Sequence, residues 1–137
     1  MKILIATLAV ILLTCNEPVQ DNSINKRITA TEYKEEHDNT KDAVLVDVRT
    51  PAEFKEGHLR EALNSDYLNG QFQEDMQHWD KSKTYYLYCA SGNRSGKAAK
   101  LMEEAGFKTI YNIGGYEDLK AAGLPVTAKN QKQNQEQ

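Results

Sequence analysis

Tyr85-Tyr86-Leu87-Tyr88-Cys89-Ala90-Ser91-Gly92-Asn93-Arg94-Ser95 decides how this chain is read. The run from Tyr85 to Tyr88 is apolar and strand-like, and it ends at a cysteine. A short polar loop with a glycine and an arginine follows, and Ser95 then opens a segment with helical spacing. A thiol placed here faces backbone N–H groups, a helix N-terminus and a guanidinium, all of which favour an anion at sulfur. Gly92 permits backbone turns that let successive amides point inward. Arg94 adds a permanent charge, and Ser95 is expected to cap the next helix. A helix dipole contributes up to ~2 kcal/mol in a favourable site, which lowers a thiol pKa by about one and a half at 1.36 kcal/mol per pKa unit. Holding the sulfur ionised against partial burial therefore calls on the loop amides as well. Cys89 reads as a nucleophile or sulfur carrier rather than as core filling.

Outward from this loop, strand and helix signals alternate. Lys26–Ile28 suits a short edge strand. Thr29-x-x-Glu32 is a capping box that opens a helix to about His37. Ala43–Val48 is β-branched and apolar, suited to a strand buried on both faces. Thr50-Pro51-Ala52-Glu53 is a second capping box, with proline at the first helical position, and Gly57 stops that helix. Ala62–Asn64 suits another small strand, and Phe72, Met76 and Trp79 mark a helical stripe over Gln71–Trp79. After the loop, Ala98, Leu101, Met102 and Ala105 line one helix face, which Gly106 closes as a left-handed cap. Thr109–Ile113 is a strand, Gly114-Gly115 a tight turn, and Glu117–Ala122 a helix ended by Gly123-Leu124-Pro125. Such alternation predicts an α/β domain with a mostly parallel sheet. Ligands bind beyond the carboxyl ends of strands in such sheets, and Cys89 lies at one.

The 137 residues suit one domain with appendages. Residues 1–15 read as an export signal: Lys2, then the apolar run Ile3–Leu13, too short for the ~20 residues of a membrane span. Leu12-Leu13-Thr14-Cys15 resembles a bacterial lipobox, which implies diacylation of Cys15 and a protein anchored by lipid in the periplasm or cell envelope. The competing reading is an ordinary secretory cut nearby, leaving a soluble periplasmic protein. Residues 16–25 read as a flexible spacer, 26–127 as the folded unit and 128–137 as a disordered tail. A net charge of −3 gives no reason to expect nucleic acid as a partner. The sequence holds no Cys-x-x-Cys pair and no His/Cys cluster, so no metal and no cofactor is expected.

The chain resembles a single-domain rhodanese, a sulfurtransferase. The resemblance covers about Ile28–Pro125 and is carried by Val46-Asp47-Val48-Arg49, Glu53-Phe54, Gly57-His58-Leu59, Ala62-x-Asn64, Tyr88–Ser95 and Asn112-Ile113-Gly114-Gly115-Tyr116. It implies a three-layer α/β domain, a five-stranded mostly parallel sheet flanked by helices, with the cysteine loop as active site. It also implies double displacement. Cys89 would take sulfane sulfur from a small donor such as thiosulfate, polysulfide or a persulfide and pass it, as a persulfide, to a thiophilic acceptor. A persulfide-carrier protein is a further expected partner. Ala90, Ser91, Gly92, Asn93, Arg94 and Ser95 would bind substrate, with Arg94 acting by charge or by orienting the loop. Tyr116 and Arg49 would stand at the pocket rim, although an ion pair with Asp47 is the plainer reading of Arg49. Four residues separate Cys89 from Arg94. That spacing resembles sulfurtransferases, whereas phosphatases and arsenate reductases of the same fold resemble a spacing of five. Ala90 and Ser91 are uncharged where rhodaneses active on thiosulfate often carry a basic residue. The alternatives are a rhodanese-fold binding or sensing module without turnover, or an oxyanion enzyme.

Overall fold

The computed structural model describes residues 23–128, apart from Asp38. Cys15 and the segments expected at residues 1–22 and 129–137 lie outside the described residues. The elements are β1 (Ile24–Arg27), α1 (Ala30–His37), β2 (Val44–Asp47), α2 (Pro51–Glu56), β3 (Gly57–Leu59), β4 (Leu63–Asn64), α3 (Gln71–Asp75), β5 (Thr84–Cys89), α4 (Asn93–Glu104), β6 (Thr109–Gly115), α5 (Tyr116–Ala121) and β7 (Val126–Ala128). A 3-10 turn at Met76–His78 continues α3, so the predicted helix over Gln71–Trp79 is split in two.

The main sheet has five strands in the order β1-β6-β5-β2-β4, every pair parallel. β5 lies at its centre, hydrogen-bonded to β2 on one side and β6 on the other. Side chains alternate across a strand, and β5 divides the core accordingly. Tyr85, Leu87 and Cys89 face one cluster with Phe72, Ala98, Ala99 and Met102, under α3 and α4. Tyr86 and Tyr88 face the other, with Tyr33, Leu59, Tyr116 and Leu119, under α1 and α5. The period of two thus aims the Cys89 sulfur toward α4, at the carboxyl edge of the central strand.

Both capping boxes form. Glu32 N–H donates to Thr29 Oγ1 at 3.2 Å while Thr29 N–H donates to Glu32 Oε2 at 2.7 Å. Thr50 and Glu53 make the same reciprocal pair at the start of α2. α4 ends as its sequence indicates. Gly106 takes φ +89°, and the Phe107 N–H reaches back to the Met102 carbonyl at 3.1 Å.

Several boundaries differ from the sequence reading, and β3 is a strand that reading does not contain. β1 begins at Ile24, inside the stretch read as spacer, and pairs along β6 from Ile24 opposite Thr109. Its four residues are all exposed, so no hydrophobic alternation marked it, and the ladder to β6 holds it instead. β7 pairs antiparallel with β3, His58 opposite Thr127, and so includes Ala128, which was read as tail. A three-residue strand has no period of its own, and its partner lies far back in sequence. Gly114-Gly115 is not a turn. β6 runs on through Gly115, with a register shift opposite Leu87/Tyr88 that marks a bulge, and Gly114 takes φ +96°.

Candidate active site

β5 delivers Cys89, and three loop residues connect it to α4. Gly92 is the residue before α4, at φ +89°, where a left-handed backbone favours glycine. No side chain caps this helix, so its first amides stay free for an anion. The Gly92 N–H donates to Cys89 Sγ at 3.0 Å. The amides of Ser91 and Ser95 also favour its thiolate, and Ser95 Oγ lies 3.4 Å from it. Burial pushes the Cys89 thiol up. The Ser95 hydroxyl, with the amides of Ser95, Ser91 and Gly92, outweighs that push and holds it below the ordinary cysteine value. Cys89 is only 1% exposed, whereas Ala90, Ser91 and Asn93 are exposed around it. The sulfur therefore sits on a floor with donors aimed at it, beneath a small polar rim.

Ser95 is not the cap that the sequence suggested. It lies in the first turn of α4 with its hydroxyl turned inward, 2.8 Å from Asn112 Oδ1 as well as near the sulfur. Asn112, which the sequence marks only within a motif, organises the back of the loop. Its Nδ2 donates to the Gly92 carbonyl at 2.9 Å, and its Oδ1 accepts from the Gly114 N–H at 3.1 Å. These two partners fix which way the amide points, so in the Ser95–Asn112 bond Ser95 is the donor. A hydroxyl has one proton, so Ser95 gives it either to Asn112 or to the sulfur. The readable signal was a polar side chain in the buried strand β6, which has to find partners.

The loop approaches β6 closely. A Cβ on Gly115 would lie 2.5 Å from the Ala90 carbonyl oxygen, so only glycine lets the loop rest there.

Arg94 forms a two-point pair with Glu53. Nη1 donates to Oε2 at 2.9 Å and Nη2 to Oε1 at 2.8 Å. The Arg94 bonds come first in holding the Glu53 carboxyl down to about 2; burial works against them, and the Thr50 amide and hydroxyl add to them. The capping box of α2 is thereby tied to the first turn of α4. The Glu53 bonds come first in raising the Arg94 pKa, and Cys89 adds to the field on it. Asp66, a buried carboxylate not singled out in the sequence, accepts from the Leu68 N–H at 2.8 Å and adds to the field on Arg94.

Arg49 and Tyr116, expected at the rim, are packed beneath it instead. Arg49 is 5% exposed, bonded to both Asp47 oxygens and to the Gly57 carbonyl. Its guanidinium lies 4.2 Å from the centre of the buried Tyr116 ring. The Asp47 partnership, the plainer reading, explains why Arg49 turns inward.

The chain matches the rhodanese-like domain family over residues 29–122. It belongs to that family. Thiosulfate sulfurtransferase 16, chloroplastic, of Arabidopsis thaliana is 37% identical over 94 residues, covering 61% of this chain and 78% of that protein. Thiosulfate sulfurtransferase PspE of Escherichia coli strain K12 is 30% identical over 74 residues, covering 54% of this chain and 71% of the relative. Among solved structures, a rhodanese-like domain protein from Staphylococcus aureus superposes with a TM-score of 0.64 at 29% identity, over 75% of this chain and 99% of that one. This rhodanese-like chain thus has the family's fold, with a five-stranded parallel sheet between helices.

Proposed function

We propose that this rhodanese-like protein is a sulfurtransferase that carries sulfane sulfur on Cys89. The observation that carries the reading is the Gly92 N–H at 3.0 Å and the Ser95 hydroxyl at 3.4 Å meeting on one sulfur at the end of β5. In the first step the Cys89 thiolate attacks the outer sulfur of a donor. With thiosulfate the donor S–S bond breaks, sulfite leaves with the electron pair, and Cys89 becomes a persulfide. In the second step an acceptor nucleophile attacks the outer sulfur and restores the thiolate. Splitting one transfer into two displacements is the gain from covalent catalysis. The same donors that hold the thiolate suit the persulfide anion, so no metal or separate base is required at sulfur. The four-residue spacing to Arg94, which Glu53 holds in place, supports sulfur over a tetrahedral oxyanion.

The test is turnover of thiosulfate, polysulfide and a small persulfide with cyanide as acceptor, read as thiocyanate. Cys89→Ser should abolish turnover with each donor. A rate that survives the substitution would refute the mechanism, and a folded wild-type protein inactive with every donor would favour a binding module. The sequence of residues 1–15 further supports an exported protein anchored through Cys15, tested by the mass of the mature N-terminus: a diacylated Cys15 agrees, an unmodified cut elsewhere contradicts.

A further inference from the structure

The outer side of the cysteine loop carries a feature beyond the donors that meet at the sulfur. Ser91, Gly92 and Asn93 form one side of an open hollow of about 490 Å³, and Arg27, Lys97 and Lys100 stand around it. Arg27 ends β1, while Lys97 and Lys100 are neighbours on α4, three residues apart. All three are exposed, and among the described residues none takes part in a salt bridge. The Arg27 guanidinium rests against the loop itself. A Cβ on Gly92 would lie 2.9 Å from each of its two terminal nitrogens. The chain as a whole carries a net charge of −3, so this patch opposes the sign of the molecule that bears it. No carboxylate lines the hollow, although Glu103, one turn beyond Lys100, bonds to Asn25 of β1 nearby; like charges gathered in the lining repel one another, and an arriving anionic surface relieves that repulsion. The hollow is open rather than enclosed, which suits a broad surface better than a small engulfed anion.

We propose that this basic hollow docks an acidic surface of a protein that exchanges sulfur with Cys89; the exchange rests on the sulfurtransferase reading above, while the docking does not. The partner would present a cysteine persulfide flanked by carboxylates. The Cys89 thiolate would attack the outer sulfur of that persulfide. The partner's S–S bond would break, the electron pair would leave on the partner's inner sulfur as a thiolate, and the outer sulfur with its proton would join Cys89.

The probes are two synthetic peptides with one central cysteine, one rich in glutamate and a twin rich in lysine, free and as persulfides. The glutamate peptide should bind the full-length protein more tightly than the twin, and should release in 1 M salt, where the screening length is about 3 Å. Arg27→Ala/Lys97→Ala/Lys100→Ala should weaken it about tenfold, as expected for three surface ion pairs. Lys97→Glu/Lys100→Glu provides a second variant that leaves β1 untouched. Loading of Cys89 from a small neutral persulfide should not change in the Lys97→Glu/Lys100→Glu variant. Equal binding of both peptides, or glutamate-peptide binding unaffected by both variants, would overturn the proposal. If the neutral persulfide loads Cys89 but the glutamate peptide does so no faster than its twin, docking falls and sulfur transfer stands. If the glutamate peptide binds through these side chains and no persulfide loads Cys89, the sulfurtransferase reading falls and the hollow remains an acidic-peptide site.

Discussion

Replacing Ser95 by alanine removes a single donor from the sulfur and leaves the rest of the floor in place. The hydroxyl is 3.4 Å from Cys89 Sγ and 2.8 Å from Asn112 Oδ1, so its proton is contested. A hydrogen bond to a charged group is worth about 1.5–3 kcal/mol net. A long, shared bond belongs at the low end, about 1.5 kcal/mol, which is about one pKa unit at 1.36 kcal/mol each. The sign follows from which form the donor favours. Ser95 stabilises the thiolate, so losing it raises the thiol pKa. The assay is the pH dependence of alkylation by iodoacetamide, with Cys89→Ser as the blank. Ser95→Ala should shift the midpoint upward by about one unit relative to wild type. Ser95→Thr, which keeps the hydroxyl, should restore much of the difference. An unchanged midpoint in a folded Ser95→Ala protein would refute the claim that the Ser95 hydroxyl helps to hold this sulfur as an anion.

Other expectations follow from the same contacts. Asn112→Ala takes its side-chain acceptor from the buried Gly114 amide and leaves the Gly92 carbonyl with the Gly96 N–H alone; denaturant unfolding should show a loss of about 1–3 kcal/mol, and turnover should fall with it. Glu53→Gln weakens the pair with Arg94. The native Glu53 carboxyl lies at about 2, so its contribution should be fully present above the ordinary carboxylate range and disappear as pH falls toward 2. Because its side chain is 35% exposed, solvent screening reduces that contribution to about 1 kcal/mol. Wild-type and Glu53→Gln stabilities should therefore converge on acidification, as read by melting at a series of pH values. Gly115→Ala puts a methyl group 2.5 Å from the Ala90 carbonyl oxygen. It should cost about 1–3 kcal/mol of stability by overpacking and depress sulfur transfer by moving the loop.

The parts of this molecule that sequence could show are those whose signal is local. The run Val44–Asp47, the Thr50–Glu53 box and the Gly106 cap each combine residue type and spacing within a few positions, and each forms. The same holds for Cys89 at the end of a buried strand, because strand, glycine and helix follow one another directly. What escaped depends on partners distant in the chain. β1 and β7 are held by ladders to β6 and β3 rather than by their own patterns. Ser95 looks like a cap by position, but Asn112, seventeen residues on, turns its hydroxyl inward. Arg94 was legible as a cation beside the sulfur, whereas its engagement with Glu53 across 41 residues was not. Arg49 was drawn to the rim by motif and is held inside by Asp47 and Gly57, in contacts that only the folded chain displays.

The most direct test of the whole account is the intact mass of the protein after brief exposure to thiosulfate or polysulfide, followed by peptide mapping. The account predicts a gain of one sulfur atom on the peptide holding Cys89, removed by cyanide and absent from Cys89→Ser. A mass that does not change, or a sulfur adduct that persists when Cys89 is replaced, would contradict it.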